Sequence, residues 1–91
     1  MRNAPFLEKK VIEPEKLIGT KWIGWSEFIG DQITVEFVDK RHCIYTSYHK
    51  KYPMTYTVMG TTMYISEIEE PFELSGQILF TNGIPAFEKA A

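Results

Sequence analysis

The sequence predicts one all-β domain, an eight-stranded antiparallel up-and-down barrel preceded by a short N-terminal arm. Three observations point there. From residue 17 onward, short runs rich in Ile, Val, Thr, Tyr, Phe and Met alternate with Gly, Asn, Asp, Pro or charged turn signals, and no interval is long enough for a helix. Residues 32–38 alternate strictly, with Ile33, Val35 and Phe37 on one face and Thr34 and Glu36 on the other, the period of a strand with one face buried. Finally, 44% of the 91 residues are hydrophobic, including two Trp, five Tyr and six Phe. A domain this short needs such dense apolar material, and aromatic side chains bury about 150–250 Å² each. A meander in so small a chain either closes on itself or leaves adhesive edges.

Residues 1–16 differ in kind. They carry two Pro, three Glu and three Lys with scattered Phe6, Leu7, Val11 and Ile12, and read as an irregular arm with a helical turn over residues 6–12. Phe6 and Leu7 are candidates to plug one barrel end; the alternative is a tether to an anchor. The barrel domain is expected over residues 17–91. Its first strand covers residues 20–28 and contains Gly24, which marks a bulge, a bend or a close backbone approach. Residues 29–31 turn the chain into the second strand, residues 32–38, and Asp39 and Lys40 turn it again. The third strand, residues 41–48, sets Cys43, Tyr45 and Ser47 against Ile44, Thr46 and Tyr48, and the pattern leaves its inner face open.

Residues 49–53 read as a polar loop, because Pro53 lacks the donor a central ladder requires. The fourth strand, residues 54–59, has Tyr56 and Val58 inward. Gly60 and Thr61 lead to the fifth, residues 62–66, with Met63 and Ile65 inward. An acidic loop, residues 67–71, precedes a short sixth strand at 72–74 and a Ser75-Gly76 turn. The seventh strand is residues 77–81. Asn82-Gly83 is the strongest hairpin signal, since both residues accept the positive φ of a type I′ turn. The eighth strand, residues 84–88, is anchored by Phe87, and Pro85 places it beside a missing neighbour or a bulge.

These elements resemble the small lipocalin-like, calycin-type domains found in bacteria. Leu17-Ile18-Gly19-Thr20-Lys21-Trp22 is similar to the Gly-x-Trp signature of the first lipocalin strand, with two residues rather than one between Gly19 and Trp22, so that Trp25 is the alternative packing tryptophan. Residues 33–39 resemble the second strand and its turn, residues 56–65 a hairpin of the type Y-x-V-x-G-x-x-I-x-I, and residues 74–79 and 87–89 the closing strands. The resemblance implies a closed barrel whose tryptophan packs across one end. It also implies non-catalytic binding of a small apolar ligand or a protein partner, and a location in the cell envelope or outside the cell. A cytoplasmic location follows instead if Met1 is the native start. The chain is about half the length of a full lipocalin and lacks the C-terminal helix, which makes for a shallow barrel.

Charge and motifs narrow the function classes. A net charge of −2 is the wrong footprint for a nucleic-acid binder, and no run approaches the ~20 apolar residues of a membrane-spanning helix. The single cysteine, Cys43, excludes an internal disulfide and a CxxC motif, and reads as a buried hydrophobe. No nucleophile elbow, HExxH, P-loop or dinucleotide fingerprint is present, and His42 and His49 have no metal-ligand spacing, so no enzyme, cofactor or metal is expected.

Two candidate sites remain. Trp22, Phe37, Tyr45, Tyr56 and Met63 either line a small apolar calyx or fill the core, and close packing favours a filled core. Arg41, Tyr48, His49, Lys50, Lys51 and Tyr52, in a stretch that begins at Lys40, read first as a solvated hairpin end whose tyrosines cover the outer wall; as a binding surface they suit a protein partner best, including as a protease inhibitor. The acidic loop carries Glu67, Glu69 and Glu70, with Glu73 just beyond it. Together with the basic hairpin it suggests an electrically two-ended molecule, a monomer or weak dimer.

Overall fold

The computed structural model describes residues 10–26 and 30–91. A single helical turn, α1 (Pro14–Leu17), precedes eight strands: β1 (Lys21–Ser26), β2 (Asp31–Phe37), β3 (His42–Ser47), β4 (Lys50–Met59), β5 (Thr62–Ile65), β6 (Phe72–Ser75), β7 (Ile78–Thr81) and β8 (Ile84–Lys89). Each pairs antiparallel with its sequence neighbours, and β8 returns to β1 to close the barrel. The expected helical turn over residues 6–12 and the plug by Phe6 and Leu7 fall largely outside the described residues. Of the described residues of the arm and its junction with β1, Ile12 and Leu17 are buried in the core.

The core follows from the alternation. Trp22, Val35, Phe37, Cys43, Tyr56, Met63, Ile65, Phe72, Leu79 and Phe87 all point inward and are at most 5% exposed. Cys43 and Tyr45 define the inner face of β3, the point the sequence pattern left open. Trp22 is buried whereas Trp25, three residues on, is 64% exposed, so the packing tryptophan is Trp22.

A meander barrel has two ends, and this chain treats them differently. One end gathers the β2–β3, β4–β5 and β6–β7 turns together with the start of β1 and the end of β8. Residues 10–17 lie across it: the Lys10 amide donates to the Leu74 carbonyl and the Ile12 amide to the Gly60 carbonyl. The Trp22 indole N–H donates to Thr20 Oγ1 at 2.9 Å, and that hydroxyl in turn donates to the Leu17 carbonyl. Tyr56 reaches the same end and donates its hydroxyl to the Asp39 carbonyl. The polar tips of two buried rings at this end, the Trp22 indole N–H and the Tyr56 hydroxyl, are therefore both satisfied. The other end gathers the β1–β2, β3–β4, β5–β6 and β7–β8 connections.

Three details bear on expectations. The polar loop at residues 49–53 does not exist: β3 and β4 are joined by Tyr48 and His49 alone, and Pro53 lies within β4, opposite Ile44. The Tyr56 amide donates to the Arg41 carbonyl, toward β3, while the Thr55 amide donates to Ser66 Oγ on the other side. Alternation then points the nitrogen of Pro53 away from β3. Since β5 covers β4 only from Tyr56 onward, that side has no paired strand, and proline costs the ladder nothing. Pro85 does sit beside a register shift, between Leu79 and Phe80. Gly24 marks a close approach: a Cβ there would lie 2.5 Å from the Ala86 carbonyl oxygen and 2.9 Å from the Phe87 ring.

Candidate functional site at the open end of the barrel

No segment of the described chain lies across the open end as residues 10–17 lie across the other. Inward-facing residues near the ends of β2, β3, β6 and β8, namely Ile33, Tyr45, Phe72 and Phe87, line a cleft of about 360 Å³ there. Trp25 and Pro85 form part of its rim, and Ile68 reaches it from the β5–β6 loop, packing against the core behind. The Ile68 amide donates to the Ile65 carbonyl, a tight turn that brings Ile68 to the edge of the cleft. On the same loop Glu70 accepts a bond from Thr81 Oγ1 at 3.3 Å, tying it to β7. A second groove, about 470 Å³, runs over the outer face of the β1–β8 seam past Ile23, Trp25, Ile78 and Ala86. The two share Trp25, Pro85, Ala86 and Phe87.

The sequence-derived ligand residues divide. Trp22, Phe37, Tyr56 and Met63 are 0–3% exposed and pack on one another, with the Phe37 and Tyr56 rings edge to face at 4.9 Å between centroids. They form a filled interior. Tyr45 alone of the five lines the open cleft, and its ring tilts against Tyr52 at 6.4 Å. Trp25, Ile33, Ile68, Phe72 and Phe87 also line that cleft and were not singled out as ligand contacts. Ile68 was hidden in a loop that reads as solvated because it is acidic. Its one signal was being the single large apolar side chain between Glu67 and Glu70.

The basic hairpin also divides. Arg41 stands with Lys40 and His42 at the closed end, where Lys40 approaches Glu15 at 3.8 Å. Tyr48, His49, Lys50, Lys51 and Tyr52 stand at the open end, a strand's length away at roughly 3.3 Å per residue. The acidic loop bearing Glu67, Glu69 and Glu70 flanks the same open end. Charges of both signs therefore share one rim, and the expected two-ended distribution is not what the fold produces. Tyr48 and His49 have φ of 53° and 63°, the left-handed pair that a type I′ turn demands, without the Asn or Gly that accepts it readily. Asn82 and Gly83, at 53° and 77°, form the same turn between β7 and β8 as the sequence predicts.

Titratable groups follow their surroundings. Asp39 is exposed, and its carboxylate accepts from the Arg41 amide, from the His42 ring and from the His42 amide, all at 2.8–3.0 Å, which holds its pKa below the ordinary value. Burial pushes the Cys43 thiol up to about 11. Burial, with Cys43 nearby, pushes the Tyr56 phenol up to about 12. Burial also raises Tyr45, and Tyr52 adds to the effect. Among the described residues no group of three or more His, Cys, Asp or Glu side chains is placed to hold a metal ion, and no helix is long and apolar enough to cross a membrane. What the open end can do is shelter an apolar group from water, with a phenol and a threonine hydroxyl at hand.

Compared with protein-family models, curated proteins and solved structures, the chain matches none of them.

Proposed function

We propose that this chain is a non-catalytic binding domain of lipocalin-like type whose site is the open end of the barrel. It takes a small apolar ligand, or the apolar end of a larger molecule, between Tyr45, Ile68 and Trp25. One observation carries the reading: the interior is filled with buried side chains beneath an aromatic-lined cleft, at the end opposite the one that residues 10–17 cover. A cleft of about 360 Å³ is at the small end of the range for ligand sites, enough for a ring system or a short alkyl chain. The filled core behind it means that ligand enters the mouth and not the centre of the barrel.

The test is a fluorescence titration with a polarity-sensitive dye carrying a fused aromatic ring system, accompanied by native mass spectrometry of freshly purified protein. The expected result is one saturable site whose occupancy quenches or shifts Trp25 emission, and which Tyr45→Ala and Ile68→Glu each weaken at least tenfold, about 1.4 kcal/mol. Binding untouched by either change, or no saturable binding at all, removes the mouth from consideration. A second reading is a protein-contact module with no ligand, favoured by the left-handed Tyr48 and His49 and by the exposed Tyr48 and Tyr52 at the rim. A partner that is lost on Lys50→Glu with Lys51→Glu but fails to compete with the dye belongs to that reading.

A further inference from the structure

We infer that two copies of this chain associate through the β3–β4 and β5–β6 corners of the open end, in a twofold dimer held by reciprocal charge pairs. The inference goes beyond the ligand site and holds whether or not the cleft is filled. A twofold contact must be self-complementary, because each patch meets its own copy. The rim has that property. Exposed Lys50 and Lys51 occupy the β3–β4 corner, and exposed Glu67 and Glu69 occupy the β5–β6 corner, the next one around the barrel. A twofold axis passing between these corners sets the lysines of one copy against the glutamates of the other, twice. The surface between is apolar, with Tyr52 44% exposed and Ile68 in the cleft. A net charge of −2 leaves little general repulsion to oppose the contact.

The barrel mouth is small, so the contact falls below the ~1,200–2,000 Å² of stable interfaces. The dimer is therefore weak and salt-sensitive. The closed end differs among the described residues: Lys40 lies 3.8 Å from Glu15, and residues 10–17 cover the opening.

Sedimentation velocity on the intact chain tests this, with thermal melts confirming that each variant is folded. The wild type should show a reversible dimer at about 50 mM salt whose dissociation constant rises roughly tenfold at about 500 mM. Lys50→Glu with Lys51→Glu should be monomeric, as should Glu67→Lys with Glu69→Lys, since each sets like charges together. An equimolar mixture of the two double variants should restore a dimer, because every facing pair is again opposite in sign. A wild type that stays monomeric at low salt overturns the inference. So does a dimer indifferent to salt and to both reversals, or a mixture that fails to associate. Dye binding by the monomeric variants reports on the ligand site separately.

Discussion

Gly24→Ala adds one methyl group where the barrel closes on itself. Gly24 stands opposite Phe87 in the β1–β8 pairing. Because the Ala90 amide donates to the Lys21 carbonyl, alternation makes Gly24 and Phe87 a non-hydrogen-bonded pair, the narrower kind, with Cα atoms roughly 4.5 Å apart. The added carbon would meet the Ala86 carbonyl oxygen at 2.5 Å and two Phe87 ring carbons at 2.9 and 3.0 Å. A ring can tilt, but a carbonyl in the ladder moves only with its strand. Overpacking of this kind costs about 1–3 kcal/mol. Alanine's smaller unfolded-state entropy returns about 0.4–1 kcal/mol. The expected net loss is about 1–2 kcal/mol, or some ~5–15 °C in melting temperature for a domain of this size. Urea unfolding with an unchanged slope measures it. Hydrogen exchange localises it: the Ala90 amide at the seam should lose protection before the Tyr56 amide between β3 and β4. A Gly24→Ala variant as stable as the parent, or more so, would show that β1 and β8 do not approach as closely as described.

Further outcomes follow from the same geometry. Trp22→Ala should cost about 3–5 kcal/mol, since the ring is 2% exposed and its N–H is paired, whereas Trp25→Ala should cost under about 1 kcal/mol in the same urea assay. Tyr56→Phe should cost about 1 kcal/mol through the lost bond to the Asp39 carbonyl. Replacing Tyr48-His49 by Asn-Gly should raise stability by about 1–2 kcal/mol, because two residues no longer occupy the left-handed region at a penalty; a loss instead would mean that these side chains hold the rim together. The Cys43 pKa is raised on folding, from 9.0 to about 11, so its contribution is fully present below pH 9 and is lost as the pH rises through about 11. Stability of the wild type should therefore fall between pH 9 and 11 more steeply than that of Cys43→Ala, and a thiol reagent at pH 8 should label Cys43 only on unfolding.

Much of the fold was legible because local signals agreed with it. The eight hydrophobic runs, the Asn82-Gly83 turn and the register shift near Pro85 can all be read without coordinates. Gly24 was legible as an anomaly and not as a cause, since what it makes room for is sixty residues away. The β3–β4 turn was illegible for a physical reason: Tyr48 and His49 adopt positive φ against their preference, between strands whose pairing runs right up to the turn. That error displaced Pro53 into a loop and made residues 40–52 look like one patch. The open cleft was hard to find because Ile33, Tyr45, Phe72 and Phe87 share the inward phase of the core and differ from Phe37 or Met63 only in how near the rim they fall. Periodicity records which way a side chain points. It carries no information on depth along the barrel axis.

The closure between β1 and β8 has a consequence for how the molecule comes into being. Its two partners are separated by more than sixty residues, the widest spacing of any strand pair here, so the contact is the most expensive in loop entropy and forms after the local hairpins. While a nascent chain is still short of Lys89, β1 carries an unsatisfied margin of backbone donors and acceptors, free to recruit any extended segment nearby. Losing a handful of C-terminal residues would prolong that vulnerable interval indefinitely, and the predicted result is aggregation instead of a trimmed but working barrel.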